Sequence, residues 1–152
     1  MKNLITIGLP SKGRLKDNAA NFLNERGLKV LQSEKERNYF ATIENKSNIK
    51  VIYLHAKEII QRLGDGTLDV GISGLDLLNE SEKNLQDKIN VKLKLDFGGA
   101  NLVVAVPDDW IDVQTIADLE EVAFDIRFKR NTRLRIATKY PNLTNDFLIS
   151  KG

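Results

Sequence analysis

The segment Leu4-Ile-Thr-Ile-Gly-Leu-Pro-Ser-Lys-Gly-Arg-Leu15 limits the possible folds of this chain more than any other stretch. Leu4 to Leu9 reads as a buried strand, and Leu15 to Arg26 as an amphipathic helix ended by Gly27, a residue suited to the left-handed C-terminal position. The turn between them is short, so the strand must hand the chain directly to the helix, which is the opening of an α/β unit. A helix start presents unpaired backbone N–H groups and a partial positive charge, and both attract anions. Lys12 and Arg14 add full charges there, and Gly13 lets a ligand come close to the backbone. The arrangement suits a polyphosphate. The plainer alternative is Ser11 as an N-cap flanked by two exposed basic residues.

The rest of the chain continues the alternation. Short strands are expected at Leu28 to Leu31 and Tyr39 to Glu44, around the charged turn Gln32 to Asn38, and another at Lys50 to Leu54. A helix is expected over Ala56 to Leu63, closed by Gly64-Asp-Gly66, then a strand over Leu68 to Ile72 entering Ser73-Gly-Leu-Asp, with Ser73 as N-cap. Val91 to Phe97, Asn101 to Val106 and Arg135 to Thr138 also read as strands. Helices are expected from about Thr115 to Phe128 and from Pro141 to Ser150. Short buried strands separated by helices imply crossover units and a mixed, mostly parallel sheet. The chain divides on this reading into a first lobe over 1–106, a connecting helix and basic linker over 107–133, and the beginning of a second α/β lobe over 134–152.

Composition removes several function classes. The 23 basic and 21 acidic side chains leave a net charge of only +2, spread along the chain, so no nucleic-acid-binding stripe is expected. With no cysteine there is neither a disulfide nor a thiolate metal site. The longest apolar run, Leu102 to Pro107, is far too short to span a bilayer. Pro10-Ser-Lys-Gly-Arg interrupts the apolar start before a signal-peptide core could form, so a cytoplasmic protein is expected.

Other motifs carry two readings each. Gly64-Asp-Gly-Thr-Leu-Asp-Val-Gly-Ile-Ser-Gly74 either makes turns at both ends of a strand or sets Ser73 and Gly74 at the carboxyl end of a parallel strand, where ligand crevices form. Its glycine spacing matches neither the dinucleotide fingerprint nor the P-loop. Asp96-Phe-Gly-Gly99 is a bulge or hinge, or part of a site. His55 is the sole histidine and cannot form a metal cluster, and Arg37 reads most simply as a solvated loop charge.

Taken in order, Leu9-Pro-Ser-Lys-Gly-Arg-Leu15, Asp69-Val-Gly-Ile-Ser-Gly-Leu-Asp-Leu-Leu78, Leu95-Asp-Phe-Gly-Gly99 and Arg135-Ile-Ala-Thr-Lys-Tyr-Pro-Asn-Leu143 resemble the catalytic ATP phosphoribosyltransferase of histidine biosynthesis, in its short form. The resemblance implies a two-lobed fold like type II periplasmic binding proteins, with the present chain giving one lobe and the start of a second. It implies the condensation of ATP with phosphoribosyl pyrophosphate, with Mg²⁺ carried on the substrate phosphates and pyrophosphate leaving. Arg14 and Arg37 match the family's phosphate-clamping arginines and would be the catalytic residues. Ser11, Lys12, Gly13, Leu15, Ser73, Gly74 and Asp76 would bind substrate from the first lobe, and Thr138, Lys139 and Tyr140 from the second. A homo-oligomer and a regulatory subunit resembling histidyl-tRNA synthetase are the implied protein partners.

Two departures from the family pattern bear on these expectations. His55 stands where some relatives carry an arginine, so no role is transferred to it. The chain stops before the family's loop for the 5′-phosphate of the phosphoribosyl group, so little turnover is expected from these 152 residues alone. A non-catalytic nucleotide-binding module on the same fold is the alternative.

Overall fold

The computed structural model describes residues 4–32 and 39–151. The chain forms two compact units, Met1–Gly99 and Ala100–Gly152.

The first unit is built on a five-stranded sheet. Its strands are β1 (Ile5–Pro10), β2 (Val30–Gln32), β3 (Phe40–Ile43), β4 (Lys46–Leu54) and β5 (Val70–Gly71), in the order β2-β3-β4-β1-β5. β1 pairs in parallel with β4 and with β5, whereas β2–β3 and β3–β4 are antiparallel. Only β3 therefore runs against the others, giving the mixed, mostly parallel sheet expected from the sequence.

Alternation along β1 and β4 assigns the two faces. Ile7 and Leu9 of β1 and Val51 and Tyr53 of β4 form a buried cluster with Ala19 and Leu23 of helix α1 (Gly13–Asn24). On the opposite face, Leu54 joins Ile59 of helix α2 (Ala56–Gly64) and Leu68, with Ile52 packed against them. The intervening residue of β1 on that face is Gly8, which stands beside Gly71 in the β1–β5 register. A methyl group at Gly8 would lie 2.6 Å from Leu68 Cδ1, and one at Gly71 would lie 2.5 Å from Ile59 Cγ2. Helix α2 thus rests directly on backbone across this pair of strands.

β4 is longer than its sequence pattern suggests. The polar run Lys46-Ser-Asn-Ile-Lys50 shows no alternation, yet it pairs because Asn45, at φ 58°, closes a tight hairpin with β3. β5 is shorter than expected, although hydrogen bonds from Asp69 N–H to Thr6 O and from Ile72 N–H to Gly8 O, each 3.0 Å, continue its path along β1. Helices α3 (Leu75–Glu80) and α4 (Lys83–Gln86) follow.

The expected strands at 91–97, 101–106 and 135–138 are not strands among the described residues. Apolar spacing marks a segment that can pair, but a strand exists only through its ladder to a neighbour. No ladder to these three segments occurs among the described residues, and Leu93, Val103 and Ile136 are exposed.

The second unit contains α5 (Ile116–Arg130) and α6 (Pro141–Ile149). α5 begins with a capping box. The Thr115 side chain accepts from Asp118 N–H, while Asp118 Oδ2 accepts from the N–H groups of Thr115 and Gln114 at 2.7 and 3.0 Å. Asn131, in the left-handed region, closes the helix, and Arg127, Lys129 and Arg130 face its negative end. The Thr115 side-chain bond, followed by the backbone bonds, holds the Asp118 carboxyl below its ordinary value of 3.8. A carboxyl lowered on folding stabilises the helix at higher pH, and that stabilisation is lost as pH falls through the folded value. The α5 backbone shifts are expected to stay helical from neutral pH to about pH 4, near the 3.8 of an ordinary carboxyl, and to weaken only below it, as followed by NMR. Loss of helicity beginning near pH 6, well above any unperturbed carboxylate, would contradict the capping role.

Candidate functional site

β1, β4 and β5 all end on one edge of the sheet, with Pro10 paired to Leu54 and Gly8 to Gly71. The chain leaves β1 for α1 on one face and leaves the adjacent β4 for α2 on the other. Neighbouring strands whose connections depart to opposite faces open a crevice beyond their carboxyl ends, the usual ligand position in an open α/β sheet.

Three turns form the rim of this crevice. Ser11, after β1, donates its N–H to Leu54 O at 2.8 Å. His55 joins β4 to α2 and is the N-cap residue of that helix. Ser73, after β5, donates its hydroxyl to Ala56 O at 2.7 Å. The first and third turns are therefore tied to the chain on either side of His55.

The three helix starts differ in charge. α2 carries Glu58 in its first turn, and α3 carries Asp76. α1 has no acidic residue in its first turn and no side-chain cap on its N–H groups. Its N-cap is Lys12, not Ser11, and Gly13 follows at φ +67°, a conformation that disfavours any residue with a side chain. Lys12, Gly13 and Arg14 are exposed, and no carboxylate of the described residues makes an ion pair with Lys12 or Arg14. An anion binds most favourably where the dipole is uncompensated and the nearby cations are unpaired. Among the described residues, that condition is met at α1.

Lys16, one turn on, is directed elsewhere. Its Nζ lies 4.9 Å from the centre of the buried Tyr53 ring. Burial, and secondarily the charge of Asp17, raises the Tyr53 hydroxyl above 10.0, so it stays protonated at neutral pH.

The Asp96-Phe-Gly-Gly99 segment lies against α1. Phe97 meets Phe22 edge-to-face at 6.3 Å, and a side chain on Gly98 would come within 3.2 Å of Leu15 Cδ1. Gly98 has φ +75°. Leu15 thus packs against this turn, and the segment, open between hinge and site on sequence alone, lies against α1.

Gly74, not Ser73, is the N-cap of α3, because the Ser73 hydroxyl is engaged with Ala56. Asp76 Oδ1 leans back over Gly74, 2.2 Å from where a Cβ would stand. The first unit therefore brings together Ser11, Lys12, Gly13, Arg14, Ser73, Gly74 and Asp76 along one rim, whereas Leu15 packs against the turn at Gly98. Arg37 lies outside the described residues. Thr138, Lys139 and Tyr140 belong to the second unit. There the Thr138 hydroxyl accepts from Tyr140 N–H at 3.0 Å and lies 3.1 Å from the Thr144 hydroxyl, fixing the entry to α6, while Lys139 is exposed. No group of three metal-ligating side chains occurs among the described residues.

An open groove of about 560 Å³ lies at the opposite end of the sheet, lined by Leu4, Leu31, Phe40, Ile49 and Lys50 among others. It shares no residue with the rim.

Comparison with known proteins gives a consistent answer. Residues 55–152 match the family model described as HisG, ATP phosphoribosyltransferase. The chain is 43% identical over 147 residues to an ATP phosphoribosyltransferase of Brucella melitensis and to one of Brucella ovis, and 42% identical to that of Brucella anthropi. In each case the match covers 97% of this chain and 64% of the relative, so the chain spans just under two thirds of the length of these proteins. The fold is similar to that in the ATP phosphoribosyl transferase (HisG:HisZ) complex from Thermotoga maritima, with a TM-score of 0.54 at 22% identity, over 98% of this chain and 60% of that one. With a family model matched over most of its length, this chain belongs to the ATP phosphoribosyltransferase family.

Proposed function

We propose that this chain supplies the nucleotide-binding lobe of an ATP phosphoribosyltransferase, the enzyme that joins N1 of ATP to C1 of phosphoribosyl pyrophosphate in the first step of histidine biosynthesis. The observation that carries this reading is the acid-free start of α1 at the carboxyl end of β1, with Lys12 and Arg14 beside it making no ion pair among the described residues. Pyrophosphate gains negative charge as it leaves C1, so cations already in place act most strongly in the transition state. Arg14 offers planar, two-pronged donation to phosphate oxygens, which lysine cannot reproduce. Arg37 is its proposed partner by resemblance. Gly13 gives phosphate access to the α1 backbone, while Gly74 and Asp76 line the neighbouring turn. Thr138, Lys139 and Tyr140 are the proposed contribution of residues 134–152, read as the start of a second lobe.

Mg²⁺ would arrive bound to the substrate phosphates, as is usual for an ion that is held through one or two carboxylates and phosphate oxygens. The described residues offer no cage that would hold it alone. No described helix is long and apolar enough to cross a membrane; a cytoplasmic location is proposed from the family's biosynthetic role. The Thermotoga maritima relative was solved as a HisG:HisZ complex, which favours a second, regulatory subunit of that kind here, alongside self-association of the catalytic chain.

Calorimetric titration of the purified chain with ATP and AMP tests the reading. Binding at or below millimolar nucleotide is the expected result, and its absence would overturn the site. Adding phosphoribosyl pyrophosphate and Mg²⁺ to the ATP complex then separates a transferase, which forms phosphoribosyl-ATP, from a module that only binds.

A further inference from the structure

Ser73 sits on the rim, and its position alone would make it a ligand contact. Its hydroxyl hydrogen is already used. Ser73 Oγ donates to Ala56 O at 2.7 Å, across a separation of 17 residues, and the serine is half-buried. Ala56 is the first residue of α2, and Gly74, immediately after Ser73, is the N-cap of α3. This single bond therefore ties the start of α3 to the start of α2. On the other side of His55, Ser11 N–H makes the matching tie to Leu54 O.

The two ties differ in chemistry. The one at Ser11 is a backbone bond that extends the β1–β4 ladder, so it survives a change of side chain. The one at Ser73 depends wholly on a hydroxyl. β5 contributes only two residues to the sheet, and the bond from Ile72 N–H to Gly8 O is the last backbone bond to β1 among the described residues, so the turn beyond Ile72 is held by other contacts. Gly74 and Asp76 inherit their position from this turn.

We propose that Ser73 is a positioning residue: its hydroxyl holds the β5–α3 turn against α2, and so places Gly74 and Asp76 to receive the nucleoside part of ATP, without itself touching the ligand. The proposal rests on the reading of the rim as a nucleotide site. It separates two parts of that site. Phosphate groups are held at α1 and do not depend on Ser73, whereas a ligand reaching both turns does.

The test uses the full chain in Ser73→Ala and Ser73→Thr forms, with two readouts. Hydrogen exchange without ligand is expected to quicken at the amides of residues 75–78 in Ser73→Ala and to return towards the parent rate in Ser73→Thr. ATP affinity is expected to fall about 2- to 10-fold in Ser73→Ala, the scale of one ordinary hydrogen bond, while inorganic pyrophosphate affinity stays the same. Unchanged ligand-free exchange would overturn the proposal, even with weakened ATP binding, because the hydroxyl would then be a direct contact. Equal exchange in both variants would overturn it too, since the hydroxyl would be irrelevant. An equal loss of ATP and pyrophosphate affinity would point to general damage and count against it. If the parent chain binds no ATP, the nucleotide reading fails while the exchange result still reports on the tie.

Discussion

Alanine at Leu9 is expected to destabilise the first unit by about 2–5 kcal/mol, the range for emptying a large buried aliphatic position. Leu9 is wholly buried, at the centre of the sheet, on a strand bonded on both sides. It packs in one cluster with Val51 and Tyr53 from β4 and Ala19 and Leu23 from α1. The lost transfer energy and the residual cavity act together, because strands held by ladders cannot close the gap. Urea unfolding, with the midpoint and slope compared with the parent protein, measures the effect. Leu31→Ala provides the contrast, since Leu31 is 42% exposed on an edge strand. That change should stay within about 1 kcal/mol, as expected where little apolar surface is buried. Similar losses at the two positions would mean that the cluster beneath β1 does not pack as described.

Alanine at Arg14 is expected to weaken binding of ATP and of inorganic pyrophosphate about 10- to 100-fold, the worth of one or two hydrogen bonds to a charged group. Arg14→Lys should recover only part of this, because a point charge lacks the paired geometry. Lys16→Ala is the internal control. Lys16 is close in sequence and also carries a positive charge, but it lies over the Tyr53 ring, so its removal should change affinity far less. Calorimetry at fixed ionic strength distinguishes the cases. Equal losses for Arg14→Ala and Lys16→Ala would indicate a diffuse electrostatic effect, and the anion site would then not be localised at the α1 start.

Much of the first unit was legible in the sequence because its signals are local. Leu4 to Leu9 is apolar apart from Thr6, and Gly27 and Gly66 fall at the turns that follow α1 and α2, each with positive φ. The absence of acid between Pro10 and Lys16 could also have been read directly, and it is what distinguishes α1 from α2 and α3. Other features depend on partners distant in sequence. Whether Val91 to Phe97 becomes a strand depends on a neighbour that its own residues do not specify. Ser73 has the composition of an N-cap, and only the approach of Ala56 decides that its hydroxyl is used elsewhere. The support of Leu15 by Gly98 spans most of the first unit and leaves no periodic trace.

The facing pair Gly8 and Gly71 has a consequence for the rim as well as for the core. α2 packs over these two residues, its N-cap is His55, and its first residue, Ala56, offers the carbonyl that receives Ser73. A methyl group at Gly71 would press on Ile59 and Leu63 of α2, and one at Gly8 would press on Leu68 beside it, so the side chains that seat α2 on the sheet would have to give way. Two absent methyl groups beneath a helix thus set how closely α2 seats on the strands whose ends carry the rim.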